Sequence, residues 1–180
     1  MRHPLEAIAA SRRRVVFGAL LATTLVLMAV LLSVDREFSP GIVAFELARD
    51  GDRAAAMVAG WDATARAWVG FSLGLDYVYL CAYSTTIGLA CIMLGSSLRA
   101  RGALGMAALA APVAWMQWLA AGFDAVENAT LLDTLTNAGY PRFAPASWAL
   151  ASAKFALVAL GLAHVVVSGC LVLFRRRLAP

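Results

Sequence analysis

The chain has 180 residues, of which 62% are hydrophobic and 14% charged, with a mean hydropathy of +0.76 and a formal charge of +4. A water-soluble domain of this length needs more charge to cover its surface, so the expected solvent is a lipid bilayer. The positive charge does not point to nucleic acid, because the arginines sit in short clusters flanking apolar runs, as topology signals do.

Arg12, Arg13 and Arg14 precede an uncharged apolar run over about 15–34. At roughly 20 residues it matches the thickness of a hydrocarbon core, and it is longer than a signal-peptide core. No small-x-small cleavage pattern follows before Asp35, so the run is expected to be a retained helix.

Ser39-Pro40-Gly41 then breaks the chain. From about 41 to 67, Ile42, Val43, Phe45, Leu47, Val58 and Trp61 recur near helical spacing among Glu46, Asp50, Asp52, Arg53 and Asp62. The pattern predicts one or two short amphipathic helices, broken near Gly51, lying on the outer interface or capping the bundle. Trp61, Trp68, Tyr140 and Trp148 fall where an interfacial aromatic belt belongs.

Three further runs can cross a membrane: about 68–98 with Asp76 inside it, about 102–135, and about 145–174 with Lys154 and His164. The expected fold class is all-α, an integral membrane four-helix bundle with an external amphipathic segment between helices 1 and 2, forming a single membrane domain over 1–180. Nine arginines fall on one side (Arg2, Arg12, Arg13, Arg14, Arg99, Arg101, Arg175, Arg176 and Arg177) and five on the other (Arg36, Arg49, Arg53, Arg66 and Arg142). The side with nine is expected to be cytoplasmic, which gives a multi-pass cell-membrane protein with both termini inside.

Charges within a span are costly, so each is a functional candidate. Asp76 stands 23 residues before Arg99, Asp124 23 after Arg101, Lys154 21 before Arg175, and Asp35 21 after Arg14. At about 1.5 Å of rise per residue, all four lie roughly 31–35 Å from the basic boundary, which predicts one polar layer near the outer leaflet. On the second span Ser72, Asp76, Tyr79, Tyr83 and Thr86 recur at steps of four and three and so share a face. On the third span Gln117, Asp124, Glu127 and Asn128 cluster, and on the fourth Ser147, Lys154, Gly161 and Ser168 share a face. Lys154 is expected either to pair with Asp76 or Glu127 or to snorkel to the headgroups. The candidate polar core or ligand site is therefore Asp76, Tyr79, Tyr83, Asp124, Glu127, Asn128 and Lys154.

Cys81, Cys91 and Cys170 lie in apolar stretches with no CxxC spacing, and they read as small buried apolar side chains. His164 reads as a satisfied core residue, with Cys91 and Cys170 as weak metal partners by sequence, so neither a metal nor a cofactor is expected. Gly70-Phe71-Ser72-Leu73-Gly74 is a GxxxG that suggests close helix approach. Asn128-Ala129-Thr130 matches a glycosylation sequon close to the bilayer and is read as a chance match. There is no P-loop, HExxH, GxSxG, CxxCH or DDxxD motif and no internal repeat.

The layout of four helices, an amphipathic first external loop and a carboxylate early in helix 2 is similar to that of the sigma-2 receptor and sterol isomerase group. That resemblance implies acidic residues in an intramembrane cavity that bind cationic amines or stabilise a carbocation, with Asp35, Asp76 and Glu127 in those parts. The aromatic and histidine residues of the isomerase cavity are not matched.

Three functions from different classes follow. The first is a binding or sensing module whose acidic cavity accepts a small hydrophobic or cationic molecule. The second is an intramembrane isomerase- or hydrolase-like enzyme using Asp76, Asp124 and Glu127 as acid–base groups. The third is a structural partner subunit whose polar layer only fixes helix packing. The expected partners are membrane lipids and such a ligand, not nucleic acid, and the oligomeric state is open.

Overall fold

The structure, a computed structural model, describes residues 2–137 and 142–177. Over these residues the chain is all-helical, with α1 (Ala10–Val34), α2 (Ile42–Glu46), α3 (Gly51–Gly60), α4 (Ala63–Arg99), α5 (Leu104–Thr136) and α6 (Ala144–Arg177), plus single 3-10 turns at Pro4–Ala7 and Asp35–Glu37. Helices α1, α4, α5 and α6 are long and apolar enough to cross a membrane. A helix satisfies its own backbone groups, which hydrocarbon cannot do.

The helices overrun the apolar stretches that mark them, because hydropathy reports only the part inside the hydrocarbon. Helix α1 begins at Ala10 rather than near 15, taking Arg12–Arg14 into its first turns, and α4 begins at Ala63 rather than near 68. Residues 63–67 therefore belong to a span and not to the segment between helices. Asp62 sets that start, its carboxylate accepting the Ala65 N–H at 2.7 Å.

Helix α4 is the hub. It packs against α5, α1 and α6, α5 packs on α6 as well, and α1 leans principally on α4. The most apolar stretch of α1 is only 6% buried, against 56% for α4, so α1 presents most of its surface to lipid. Close contact between α4 and α5 depends on small residues: Gly88 faces Ala114 and Gly95 faces Ala110, with no room for a Cβ at Gly95. The GxxxG at Gly70 and Gly74 makes no such approach. A Cβ at Gly70 would meet only Leu135, and one at Gly74 would meet nothing within 4 Å. The alanines that face α4 lie further along it, so the tight seam forms there.

The first and last described segments gather where α4 turns into α5. Leu5 packs with Leu89, Ile92 and Ala114, and Val172 packs with Leu98 and Ala107. The turn itself uses Gly102 at φ +72°, a conformation that side-chain-bearing residues rarely adopt. This is the basic end of the bundle.

Helices α2 and α3 cap the opposite end. The chain turns over 47–50, near Gly51 as expected, and Gly51 opens α3 behind the N-cap Asp50. Phe45, Val58 and Trp61 join Val69 and Leu131 in one apolar cluster. Trp61 is 3% exposed, edge-on to Phe38 and Phe45 at 5.8 and 5.1 Å, so it is a core residue of the cap and not part of a belt. Trp68 is exposed and Trp148 lies half-buried beneath the Arg49 guanidinium, while Tyr140 falls outside the described residues. Among the cysteines Cys91 is buried, but Cys81 and Cys170 are exposed on the outside of the spans. Apolar neighbours do not imply burial where the surrounding lipid is itself apolar.

Candidate functional site

Under the cap, the four candidates on α5 and α6 meet. Asp124, Glu127 and Asn128 are spaced i, i+3 and i+4 on α5, which puts them on one face and fans them between two neighbours. Lys154, on the buried face of α6 with Ser147, Gly161 and Ser168, reaches Asp124 Oδ1 at 2.7 Å and Glu127 Oε2 at 2.9 Å. Lys154, Asp124 and Glu127 are all buried. Thus Lys154 is the centre of an ion cluster and does not snorkel.

Helix α4 supplies the third wall. Tyr83 donates its hydroxyl to Asp124 Oδ2 at 2.9 Å, so both oxygens of Asp124 are engaged. Tyr79 packs against Tyr83 with ring centroids 5.3 Å apart. Asp76 accepts the Asn128 side-chain amide at 2.7 Å. It forms no ion pair with Lys154, contrary to one of the pairings expected from sequence, because Asp124 and Glu127 already hold the ammonium.

The cap brings a residue that sequence reasoning had left on a polar face. Glu46, the last residue of α2, points inward, buried, with Oε1 3.4 Å from Lys154 Nζ. Burial pushes its carboxyl up to about 7, with Lys154 opposing the rise. Nothing in a single sequence distinguishes Glu46 from the solvated acids around it, because the distinction lies in how α2 is docked. Glu46 Oε2 and Glu127 Oε1 have no hydrogen-bond partner among the described residues.

Asp35 does the reverse. Its Oδ1 accepts the Ile42 N–H at 2.6 Å and its carboxylate lies against Gly41, so it anchors the start of α2 and is not part of the cluster. Counting along helices gives depth but not direction, which is why Asp35 looked equivalent to the other three.

A cavity of about 470 Å³ adjoins this cluster. Glu46, Asp76, Asp124 and Lys154 form its polar head, and Tyr79, Tyr83 and Thr86 line its α4 wall. Apart from Thr24 the rest is apolar, including Leu21 and Met28 on α1 and Phe155 and Leu162 on α6. Those four are themselves exposed on the protein surface, so the mouth lies sideways, between α1 and α6. Glu127 and Asn128 stand behind the wall and do not line the cavity. Three carboxylates line this space against one ammonium.

His164 lies deeper along α6, buried, with Ser168 Oγ 3.4 Å from its Nε2. Among the described residues no group of three histidine, cysteine or acidic side chains is arranged to hold a metal ion.

These features define a polytopic membrane protein: a four-helix bundle with a helical cap and a buried ion cluster beneath it. No protein-family model matches the chain, and neither a curated protein nor a solved structure matches it.

Proposed function

We propose that the chain is a membrane binding module that takes a small amphiphilic cation, seating its charged head beside Asp76 and its apolar body between α1 and α6. The observation that carries this reading is the charge imbalance around the cavity. Lys154 is already shared by Asp124, Glu127 and Glu46, whereas Asp76 lines the cavity with no cationic partner. Buried carboxylates in such excess repel one another and favour a second positive charge. The apolar remainder of the wall supplies the burial that holds a ligand of this type. The arginine bias supports a cytoplasmic basic end, which puts the cavity near the outer leaflet of the cell membrane.

The test uses the full chain in lipid nanodiscs with a fluorescent hydrophobic quaternary ammonium probe and its neutral isostere. The cationic probe binds wild type, and Asp76→Asn weakens it by about tenfold or more, the value of a charge-assisted contact. The neutral isostere binds weakly to both proteins. Equal binding of the two probes, or full binding by Asp76→Asn, sinks the proposal.

A second reading, in which the cluster serves only to lock the helices, is favoured by Lys154 joining α2, α5 and α6. Under that reading Asp76→Asn lowers the melting temperature and no probe binds.

A further inference from the structure

A second cavity, of about 1190 Å³, lies at the basic end, on a different stretch of α4 from the acidic one. Its floor is built from small residues of α5, Ala107, Ala110 and Ala111 among them, which leave a broad groove beside Gly95 of α4. Its rim carries Arg2, Arg13 and Arg99, opposed by Glu6 alone. The groove exceeds the roughly 300–1,000 Å³ that suits a drug-sized ligand.

The N-terminal segment is folded to form one wall of it. Arg13 donates to the carbonyls of Ile8 and Glu6 at 2.9 and 2.7 Å and reaches Ser96 on α4, so its guanidinium is spent on fixing the segment in place. Glu6 accepts the His3 backbone N–H at 3.3 Å. Arg2 and Arg99 are exposed at the rim and show no such engagement among the described residues.

His3 is the unusual member. It is 2% exposed and set against the edges of Trp115 and Trp118, with centroids 4.7 and 4.6 Å away. Its Nδ1 accepts the Leu5 N–H at 3.2 Å, and burial lowers its pKa below the ordinary histidine value. A neutral ring that accepts at Nδ1 carries its proton on Nε2. That Nε2–H is a buried donor with no acceptor among the described residues, in a residue that lines the groove. A buried donor left unpaired is costly, and a ligand oxygen would satisfy it.

We propose that this groove is a phosphate site, and that it holds the headgroup phosphate of an anionic membrane lipid. Arg2 and Arg99 supply the charge, His3 Nε2–H supplies a directed hydrogen bond, and the alanine floor accommodates the start of an acyl chain. The position suits a lipid and not a dissolved anion, because the groove lies at a helix end among arginines and has an apolar floor. The site is independent of the acidic cavity and stands or falls apart from the function proposed for it.

The test is a lipid titration of the delipidated full chain in detergent, read by native mass spectrometry. Phosphatidylglycerol, phosphatidylcholine and inorganic phosphate are compared as probes. Wild type retains one phosphatidylglycerol in preference to phosphatidylcholine. Arg99→Gln weakens that binding about fivefold, and Arg2→Gln/Arg99→Gln loses the preference, in line with the contribution of a single cation near a membrane surface. Arg36→Gln, at the opposite end, retains it. Both arginines are exposed, so thermal melting of the variants stays at the wild-type value and certifies the fold. Equal retention of both lipids overturns the proposal, as does an unchanged preference in the double variant. Inorganic phosphate that displaces the bound lipid at equal concentration also overturns it.

Discussion

The two ends of the bundle handle charge in opposite ways. At the capped end Glu46, Asp124, Glu127 and Lys154 are all buried, and the three carboxylates share the one ammonium across α2, α5 and α6. At the basic end Arg2, Arg12, Arg14 and Arg99 are exposed, and the buried imidazole is the uncharged ring of His3. The difference follows from what covers each end. Helices α2 and α3 lay an apolar sheet of Phe45, Val58 and Trp61 over the first, so charge beneath them must find charge. The second has no such cover, and its arginines extend to the headgroups and water.

The sharpest way to break this contrast is to remove the central cation. Lys154→Met leaves Asp124, Glu127 and Glu46 facing one another, and the expected loss is about 3–5 kcal/mol of stability in detergent. A melting curve measures it. Lys154→Met/Asp124→Asn/Glu127→Gln recovers most of the loss, and a Lys154→Met protein as stable as wild type would show that the cluster carries no structural weight.

A smaller effect is expected at the other end. His3→Phe keeps a ring between Trp115 and Trp118 but removes the acceptor for Leu5 N–H, at a cost of about 1 kcal/mol. The change is local, so hydrogen exchange speeds up at Leu5 and Glu6 while the bundle melts as before.

The most local effect is a pH dependence of the cap. Glu46 is raised from 4.5 to about 7 by burial, so the docked cap binds a proton that the undocked one releases. Docking is therefore strongest below about 4.5 and weakens as pH rises through about 7. Hydrogen exchange over 42–48, measured from pH 5 to 8.5 and corrected for intrinsic rates, reports it, and Glu46→Gln flattens the profile. Protection that increases with pH would contradict the assignment.

Much of the architecture was legible in the sequence because the bilayer imposes a simple rule. An apolar run of sufficient length must be a helix, as the runs over about 15–34 and 102–135 are. The stripe of Asp76, Tyr79 and Tyr83 was legible from helical spacing, and so was the inward face of α6. Helical spacing says which residues share a face but not which helix that face meets. Asp76 therefore found Asn128 and not Lys154, and Asp35 turned toward α2. Glu46 and His3 were missed for a related reason. Each sits in a short segment whose burial is decided by docking against distant helices, and neither carries a local pattern that separates it from a solvated neighbour.

The sideways mouth between α1 and α6 changes what concentration means for this cavity. Leu21, Met28, Phe155 and Leu162 are set among lipid-facing side chains, so the path inward starts in hydrocarbon and not in water. The amphiphile proposed for this cavity would be enriched by partitioning before it reaches the mouth, and it would arrive by diffusion within one leaflet. Occupancy then follows the mole fraction of ligand per lipid. At a fixed amount of probe, doubling the lipid dilutes it within the leaflet, and apparent affinities in aqueous units shift even though no contact in the cavity has changed.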